Sequence, residues 1–241
     1  MPAILLANEF NSERLSFLPP KTNKLGGQSV LLSYTPEDTN NPGPVVMQTC
    51  RVRIPFGIDQ SKPMEGGVVK YHISISLANE ETQNDQLKVL TSNVRAIDEI
   101  TKNYSMTNTN WFGKALSEEV AGEFYKSAEK FAKDPKWPST LKVKLPFDRK
   151  GNPDFMLFDE NKNPINILDE NGDVDLGSIP KGSEAILLIQ PTGVWFVGKT
   201  QFGVGYKLVQ AKVFKNSKIK NYAIVDDDEL EMVEEDADDV E

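Results

Sequence analysis

Hydrophobic and polar residues alternate with a period of two toward both ends of the chain. Residues 69–77 alternate without a break, with Lys70, His72 and two serines on the side opposite the apolar residues. This pattern predicts a half-buried strand. Apolar runs over residues 28–34 and 45–54 predict two earlier strands, separated by stretches rich in proline and glycine.

The period changes to three or four residues in the middle of the chain. Apolar residues recur in this way over residues 87–97, after Asn84 as a helix cap, and predict an amphipathic helix of about four turns. A second helix is predicted from Ser117 to residues 134–135, where Asp-Pro ends it. We therefore expect a helical insertion at about residues 84–134.

Strand patterns return after this insertion. Residues 141–147 alternate, with Lys142 and Lys144 on the polar side. Turn sequences at 161–164 and 191–193 predict two hairpins, and residues 204–214 predict the last strand. The chain is expected to be mainly β with a helical insertion. A Greek-key barrel and a sandwich both fit this order of elements.

Charge divides the chain into two parts. Of its 36 acidic residues, eleven lie in residues 226–241, which contain no lysine or arginine. Residues 1–225 therefore carry 25 acids and 27 bases, a net charge of +2 within a total of −9. We expect one domain over residues 1–225 and a disordered acidic tail over 226–241.

The composition argues against several classes of function. One cysteine, Cys50, gives no internal disulfide, and one histidine, His72, leaves too few ligands for a zinc site. Residues 169–175 resemble a calcium loop but have Val174 where such loops need glycine. We expect no catalytic residue, no metal and no cofactor. The first residues lack a signal-peptide pattern and no apolar stretch is long enough to span a membrane, so an intracellular, non-secreted protein is expected.

The most informative segment lies near the carboxyl end. Residues 199–220 contain six lysines and no acid, and aromatic residues are interleaved with the lysines from residue 195 onward. Aromatic rings stack on unpaired bases and lysines contact phosphates, so the segment is typical of single-stranded nucleic-acid binding. Along the strand from Val204, we expect Val209, Ala211 and Val213 inside. The candidate ligand contacts here are Trp195, Phe196, Lys199, Phe202, Tyr206, Lys207, Gln210 and Lys212.

Other basic and aromatic residues would extend this surface if their strands are neighbours. They are Arg51, Arg53, Lys70, Tyr71, Trp111, Phe112, Lys114, Lys142 and Lys144. The alternative for each cation is a solvated strand face, and for each aromatic residue a place in the core. A hydrophobic plug between the helices is an equally good interpretation of Trp111 and Phe112.

The acidic tail is the second functional signal. A flexible polyanion imitates a nucleic-acid strand, so it can occupy a basic groove of the same chain or bind basic patches on partners. The acids assigned to this role are Asp226, Asp227, Asp228, Glu229, Glu234, Glu235, Asp236, Asp238, Asp239 and Glu241. An acidic-tailed chaperone for basic proteins, with the β domain as scaffold, is the alternative function.

Residues 195–214 and the acidic tail together resemble the single-stranded DNA-binding proteins of nucleocytoplasmic large DNA viruses, of the phycodnavirus and mimivirus type. These in turn are related to the replisome single-stranded DNA-binding proteins of podophages. The resemblance implies an oligonucleotide/oligosaccharide-binding (OB) barrel with a helical insertion. The phage tails end in an aromatic residue, whereas this chain ends Asp239-Val240-Glu241.

The resemblance also implies a function and partners. It implies non-specific binding of single-stranded DNA in viral replication, recombination and repair, without enzymatic activity. The tail would compete with DNA and contact a polymerase or helicase, and a homodimer is a further candidate assembly. No membrane is implied, and the expected location is the host nucleus or a cytoplasmic site of viral replication.

Overall fold

The computed structural model describes residues 3–23, 26–37, 39, 41–61 and 68–215. The acidic tail, with Lys218 and Lys220 before it, lies outside the described residues. No helix in the described part is long and apolar enough to cross a membrane.

The described chain is mainly β, with two helices between the ninth and tenth strands, as the sequence predicts. The helices are α1 (Asp85–Thr107) and α2 (Glu118–Phe124). The strands are β1 (Ala3–Leu6), β2 (Leu15–Phe17), β3 (Lys21–Thr22), β4 (Gln28–Val30), β5 (Leu32–Tyr34), β6 (Val45–Gln48), β7 (Val52–Ile54), β8 (Ile58–Gln60), β9 (Tyr71–Ser76), β10 (Glu129–Lys130), β11 (Thr140–Leu145), β12 (Met156–Phe158), β13 (Pro164–Ile165), β14 (Ser183–Val197) and β15 (Gln201–Phe214).

Five strand segments close into a barrel. The first is the bent segment β6–β7–β8, which pairs with β14 at one end and with β9 at the other. Strand β9 pairs with β11, β11 runs parallel to β15, and β15 pairs antiparallel with β14. Numbered along the chain, the barrel order is 1-2-3-5-4-1, with strands 3 and 5 parallel. This order supports the OB-like Greek-key barrel over the sandwich.

Gly57 lets the first barrel segment bend between β7, which pairs with β14, and β8, which pairs with β9. Its φ is +69°, in the left-handed region, and a side chain there would meet the carbonyl of Ile179. The inward residues of the barrel strands form the main core, with Ile73, Ile75 and Leu208 fully buried. Helix α1 contributes apolar residues to the same core and so covers one end of the barrel.

Buried carboxylates join α1 to the segment that follows α2. Asp98 of α1 accepts hydrogen bonds from Tyr125 Oη and Ser127 Oγ, both 2.6 Å, and from the Ala128 amide. Burial raises the pKa of this carboxyl group, although the hydrogen bonds from Ser127 and Tyr125 act in the opposite direction. Arg95 holds the buried Glu129 through two hydrogen bonds. These contacts hold residues 125–129 against α1 and so explain why α2 ends at Phe124.

Two predictions about local structure are wrong. Helix α2 begins after Ser117 as predicted but ends at Phe124, because the following residues bind Asp98 and pair with Phe202. Residues 191–193 do not form a hairpin, since β14 runs straight through them as one strand. Instead, the register between β14 and β15 shifts between Pro191 and Gly193, so both strands continue past these residues.

A repeated turn connects β11 to β14. The turns at residues 148–152, 159–163 and 169–173 each begin with an aspartate whose Oδ1 accepts the amides two and four residues later. The fourth position has positive φ in each: Gly151, Lys162 and Gly172. The three turns are not predicted from the sequence as one recurring motif, because the residues around them differ. The predicted hairpin at 161–164 is confirmed.

Candidate nucleic-acid interface

A group of lysines lies on the outer side of the third and fifth barrel strands, beside polar residues of the second. The register places Lys142 beside Ser74 and Lys144 beside both His72 and Lys207. Inward residues alternate with these positions on β9 and β11, so Lys142 and Lys144 point to solvent. We define the lysine face as His72, Ser74, Lys142, Lys144, Gly203, Gly205, Lys207 and Trp195.

Two glycines make room for the Trp195 indole on this face. A Cβ atom at Gly203 would lie 2.9 Å from Trp195 Cζ2, and one at Gly205 would lie 3.7 Å from Trp195 Cδ1. The Gly205 position is also 3.7 Å from Lys144 Nζ. The indole therefore lies across the β15 backbone with Lys144 nearby. Trp195 is partly exposed, which leaves part of its ring open to a ligand.

The lysines of this face have few acidic partners. Among the described residues, Lys207 lies 3.9 Å from Asp154, while no ion pair involves Lys142 or Lys144. Desolvation lowers the pKa of Lys144, and the neighbouring Lys70 and Lys142 lower it further. The lysines of this face therefore repel one another, and a bound phosphate backbone would reduce this repulsion.

His72 lies at the edge of the face, toward β8. Its Nε2 is 3.4 Å from Asp59 Oδ2. Burial lowers the pKa of His72, Lys142 lowers it further, and Asp59 opposes both effects. The imidazole therefore favours its neutral form. Its side chain is largely buried, so we assign it a supporting place beneath the cations rather than a phosphate contact.

The structure brings together some of the predicted contacts on or near this face. Lys142, Lys144, Trp195 and Lys207 lie on it, and the exposed Lys70 is close enough to affect Lys144. Lys199 is exposed at the tip of the β14–β15 hairpin, next to the face. Tyr71 is partly buried and packs on Phe147, 5.5 Å between ring centroids, so it belongs to the barrel end.

Three predicted stacking residues lie in the core instead. Tyr206, Phe202 and Trp111 are 1, 0 and 4 per cent exposed. Trp111 and Phe112 form an aromatic cluster with Phe202 and the partly buried Phe196, which joins the helical insertion to the β14–β15 hairpin. The hydrophobic-plug interpretation of residues 111–112 is therefore correct. Lys114 beside it is exposed.

The position of Tyr206 follows from a bulge that the sequence pattern does not reveal. Leu188 and Ile189 of β14 are consecutive, but their partners on β15 are Gln210 and Leu208. Val209 is the extra residue, so the inward side changes at this point. Tyr206 and Leu208 face inward before the bulge, and Ala211 and Val213 after it. The prediction of a single inward face with Val209 is wrong for this reason.

The remaining predicted cations form a second group, beyond the bulge. Arg51 lies 4.0 Å from the centre of the Phe214 ring and forms an ion pair with Glu184 at 2.6 Å. Lys212 Nζ is 5.4 Å from the same ring. Along β15, five residues or about 17 Å separate Lys207 from Lys212. Gln210 is partly buried on β15, and Arg53 of β7 is exposed opposite Glu184.

The predicted contacts omit two groups of residues that the structure makes prominent. Gly203 and Gly205 are the floor of the lysine face, and their Gly-x-Gly spacing in a strand is the signal for a close approach by another group. Phe131 follows β10 and Trp137 precedes β11, and both are exposed. Phe131 lies within the second predicted helix, which in the structure ends earlier, at Phe124, and Trp137 lies between Pro135 and Pro138. The described residues hold no cluster of acidic, histidine or cysteine side chains suited to a metal ion.

Several solved structures are similar to this chain. The single-stranded DNA-binding protein from bacteriophage Enc34, in complex with ssDNA, has 13% identity and a TM-score of 0.43, covering 86% of this chain and 98% of that one. The single-stranded DNA-binding protein gp2.5 of bacteriophage T7 has 11% identity and a TM-score of 0.45, covering 83% and 96%. Because both TM-scores are below 0.5, we assign the OB-like fold from the observed strand order and not from these similarities.

Comparison with curated protein sequences gives no match. A sequence model of a family does match, and it spans the second to fifth barrel strands with the helical insertion. It covers residues 73–226 and is described as the family of unknown function DUF5871. Because the match includes more than half of the residues, this chain belongs to that family.

Proposed function

We propose that this protein binds single-stranded DNA without sequence preference through the lysine face. The observation that carries the proposal is the placement of Trp195 and Lys144 side by side over Gly205. A base can stack on the open part of the indole while the ammonium group contacts the adjoining phosphate. In OB barrels, strands 2 and 3 and the loops 1–2 and 4–5 are the usual oligonucleotide surface. Here those are β9 and β11, residues 68–70 before β9, and the hairpin tip with Lys199.

A surface built from strands favours single strands over duplex. Stacking on Trp195 requires an unpaired base, and the lysines lie along two adjacent strands, β11 and β15, rather than on a helix suited to a major groove. Sequence tolerance follows because every base has an aromatic face and the lysines contact only the backbone. No step of this proposal needs a catalytic group, so the function is non-enzymatic.

The tail fits this proposal as an internal competitor. Ten residues lie between Lys215 and Asp226, so the eleven steps from one Cα atom to the next span at most about 36–40 Å when extended. Lys207 lies eight residues back along β15, about 27 Å away. The acids can therefore reach the lysine face, where they would compete with phosphates. Residues 1–225 would act as the binding domain and 226–241 as the competitor and the docking segment for a polymerase or helicase.

The biological setting is proposed from the resemblance of residues 195–214 and of the tail to viral single-stranded DNA-binding proteins. We propose a role in viral DNA replication, recombination and repair, in the host nucleus or at a cytoplasmic replication site. Binding of the tail to replication proteins would then bring them to exposed single strands.

A salt series tests the lysine face directly. We expect the full chain to bind labelled oligo-dT, with affinity falling steeply as salt rises, and to bind duplex more weakly. Lys142→Gln with Lys144→Gln should reduce the slope of log affinity against log salt by about 1.4, or 0.7 for each lost phosphate contact. Lys181→Gln, an exposed lysine before β14, is the matched control and should leave the slope unchanged. Equal slopes for all three proteins would refute the assignment.

A full-length variant with the tail acids changed to Asn or Gln tests the competitor. It should bind oligo-dT more tightly than the natural chain, most clearly at low salt, because the internal polyanion is gone. Unchanged affinity would remove the tail from the binding mechanism.

A further inference from the structure

A cleft of about 700 Å³ opens between the start of α1 and the segment that leads into β11. Its walls are residues 78–81, the side of α1 that carries Lys88, Thr91 and Arg95, and residues 131–139. We call it the insertion cleft. It lies outside the lysine face as defined above.

Two aromatic side chains are exposed on the wall of this cleft. Phe131 is 74 per cent and Trp137 is 61 per cent exposed, whereas Trp111 and Phe202 are almost completely buried. Lys136 Nζ lies 5.7 Å from the Trp137 ring. Exposed large aromatic residues that share a concave surface are typical of a binding site for a flat, partly apolar partner.

The insertion cleft lies beyond the Thr140 end of the outward positions of β9 and β11. Along β9 and β11, the outward pairs are Lys144 with His72, Lys142 with Ser74, and Thr140 with Ser76. The next residues, Ser139 and Leu77, are joined by a hydrogen bond of 2.8 Å. Ser139 already lines the cleft. Four residues, about 13 Å, separate Lys144 from Thr140. A strand of nucleic acid that follows β11 past Thr140 therefore reaches the edge of the cleft.

Charge indicates which part of a nucleic acid the cleft would contact. Its cations are mostly neutralised: Lys88 pairs with Asp85, Arg95 with Glu129 and Lys136 with Asp134. Lys133 has no ion pair among the described residues, and Glu80 and Glu81 stand on the opposite wall. A nearly neutral cleft with two open rings suits bases better than phosphates.

We infer that a single DNA strand bound on the lysine face continues past Thr140 into the insertion cleft, where Phe131 and Trp137 each stack on a base. The inference rests on the proposed function and adds the insertion cleft to the DNA-binding surface that begins at the lysine face. The helical insertion then has a role of its own, because it supplies the second wall of the path. The lysine face provides most of the salt-dependent affinity, and the cleft provides affinity that depends on oligonucleotide length.

Oligonucleotide length separates the two parts of the site. The full chain and its Phe131→Ala/Trp137→Ala variant are titrated with oligo-dT of about 4 and about 16 nucleotides, the ends of the range for single OB barrels. The variant should bind the short oligonucleotide like the natural chain and the long one at least about tenfold more weakly. Its salt slope should not change, since no cation is removed. Phe56→Ala, an aromatic residue 57 per cent exposed at the barrel bend, is the matched control and should change neither affinity.

The outcomes distinguish this inference from the proposed function. If the natural chain binds neither oligonucleotide, the proposed function fails. If it binds both and the double variant keeps full affinity for the long one, only the insertion cleft is refuted. A fluorine NMR spectrum of the full chain labelled with 5-fluorotryptophan gives an independent readout. The Trp137 resonance, assigned from Trp137→Ala, should shift with the long oligonucleotide alone, and a resonance that shifts with neither overturns the inference.

Discussion

Replacing Trp195 by alanine should weaken DNA binding far more than it weakens folding. The indole lies on the outside of β15 over Gly203 and Gly205 and is partly exposed. One stacked base contributes about 1–3 kcal/mol, so the dissociation constant for oligo-dT should rise about 5- to 150-fold. The salt slope should remain the same, because the tryptophan contacts no phosphate. Trp195→Phe, which keeps an aromatic face, should recover part of the affinity.

The contrast with Tyr206 makes this prediction specific. Tyr206 is on the same strand but is 1 per cent exposed in the barrel core. Tyr206→Ala should lower the free energy of unfolding by about 3–5 kcal/mol, as for other large-to-small core substitutions. Fluorescence anisotropy with labelled oligo-dT and urea unfolding measure the two effects. If Trp195→Ala lost several kcal/mol of stability while the folded fraction bound DNA normally, the indole would be a core residue and the argument would be refuted.

Three further substitutions test other features. Tyr206→Phe should raise the free energy of unfolding in urea by about 1 kcal/mol, since the buried hydroxyl has no hydrogen-bond partner among the described residues, and a loss of stability would reveal one. Lys162→Gly should raise the melting temperature, with a gain of up to about 1 kcal/mol, because Lys162 has φ of 68° where the sister turns have Gly151 and Gly172; a decrease would contradict the strain. Lys144→Met should weaken DNA binding yet stabilise the free protein by up to about 0.5 kcal/mol. Because the folded chain lowers the pKa of Lys144, the unfolded chain binds more protons between the two pKa values. The gain should therefore be largest below the folded pKa and shrink as pH rises toward the ordinary value of 10.5, as urea titrations at several pH values would show.

The regular elements could be predicted from the sequence because their periods are clear. The two-residue period of β9 and β11 correctly places Lys142 and Lys144 outside, since no bulge interrupts either strand. Asn84 and Ser117 were correctly identified as helix caps, because their side chains accept amide hydrogen bonds from Leu87 and Val120. These features depend on neighbours in sequence.

The features that could not be predicted depend on contacts distant in sequence. The end of α2 is set by Asp98, about thirty residues earlier. The Val209 bulge exists because of the pairing of β15 with β14, and it reverses the inward and outward sides of the most informative strand. The closure of the barrel likewise depends on pairing between strands distant in sequence. It separates the lysine face from Arg51 and Lys212, which lie at the Phe214 ring. Residue types alone therefore gave a list of aromatic candidates in which core and surface were mixed.

The most direct test of the binding surface is photochemical crosslinking of the full chain to oligo-dT that carries 5-bromodeoxyuridine, followed by peptide mapping. The account predicts a crosslink at Trp195, because a stacked base would lie against its indole, with duplex DNA as the control that gives little product. Crosslinks confined to the region of Phe214 and Arg51, at saturating DNA, would place the single strand on the other side of the Val209 bulge. That result would contradict the lysine face as the DNA-binding surface.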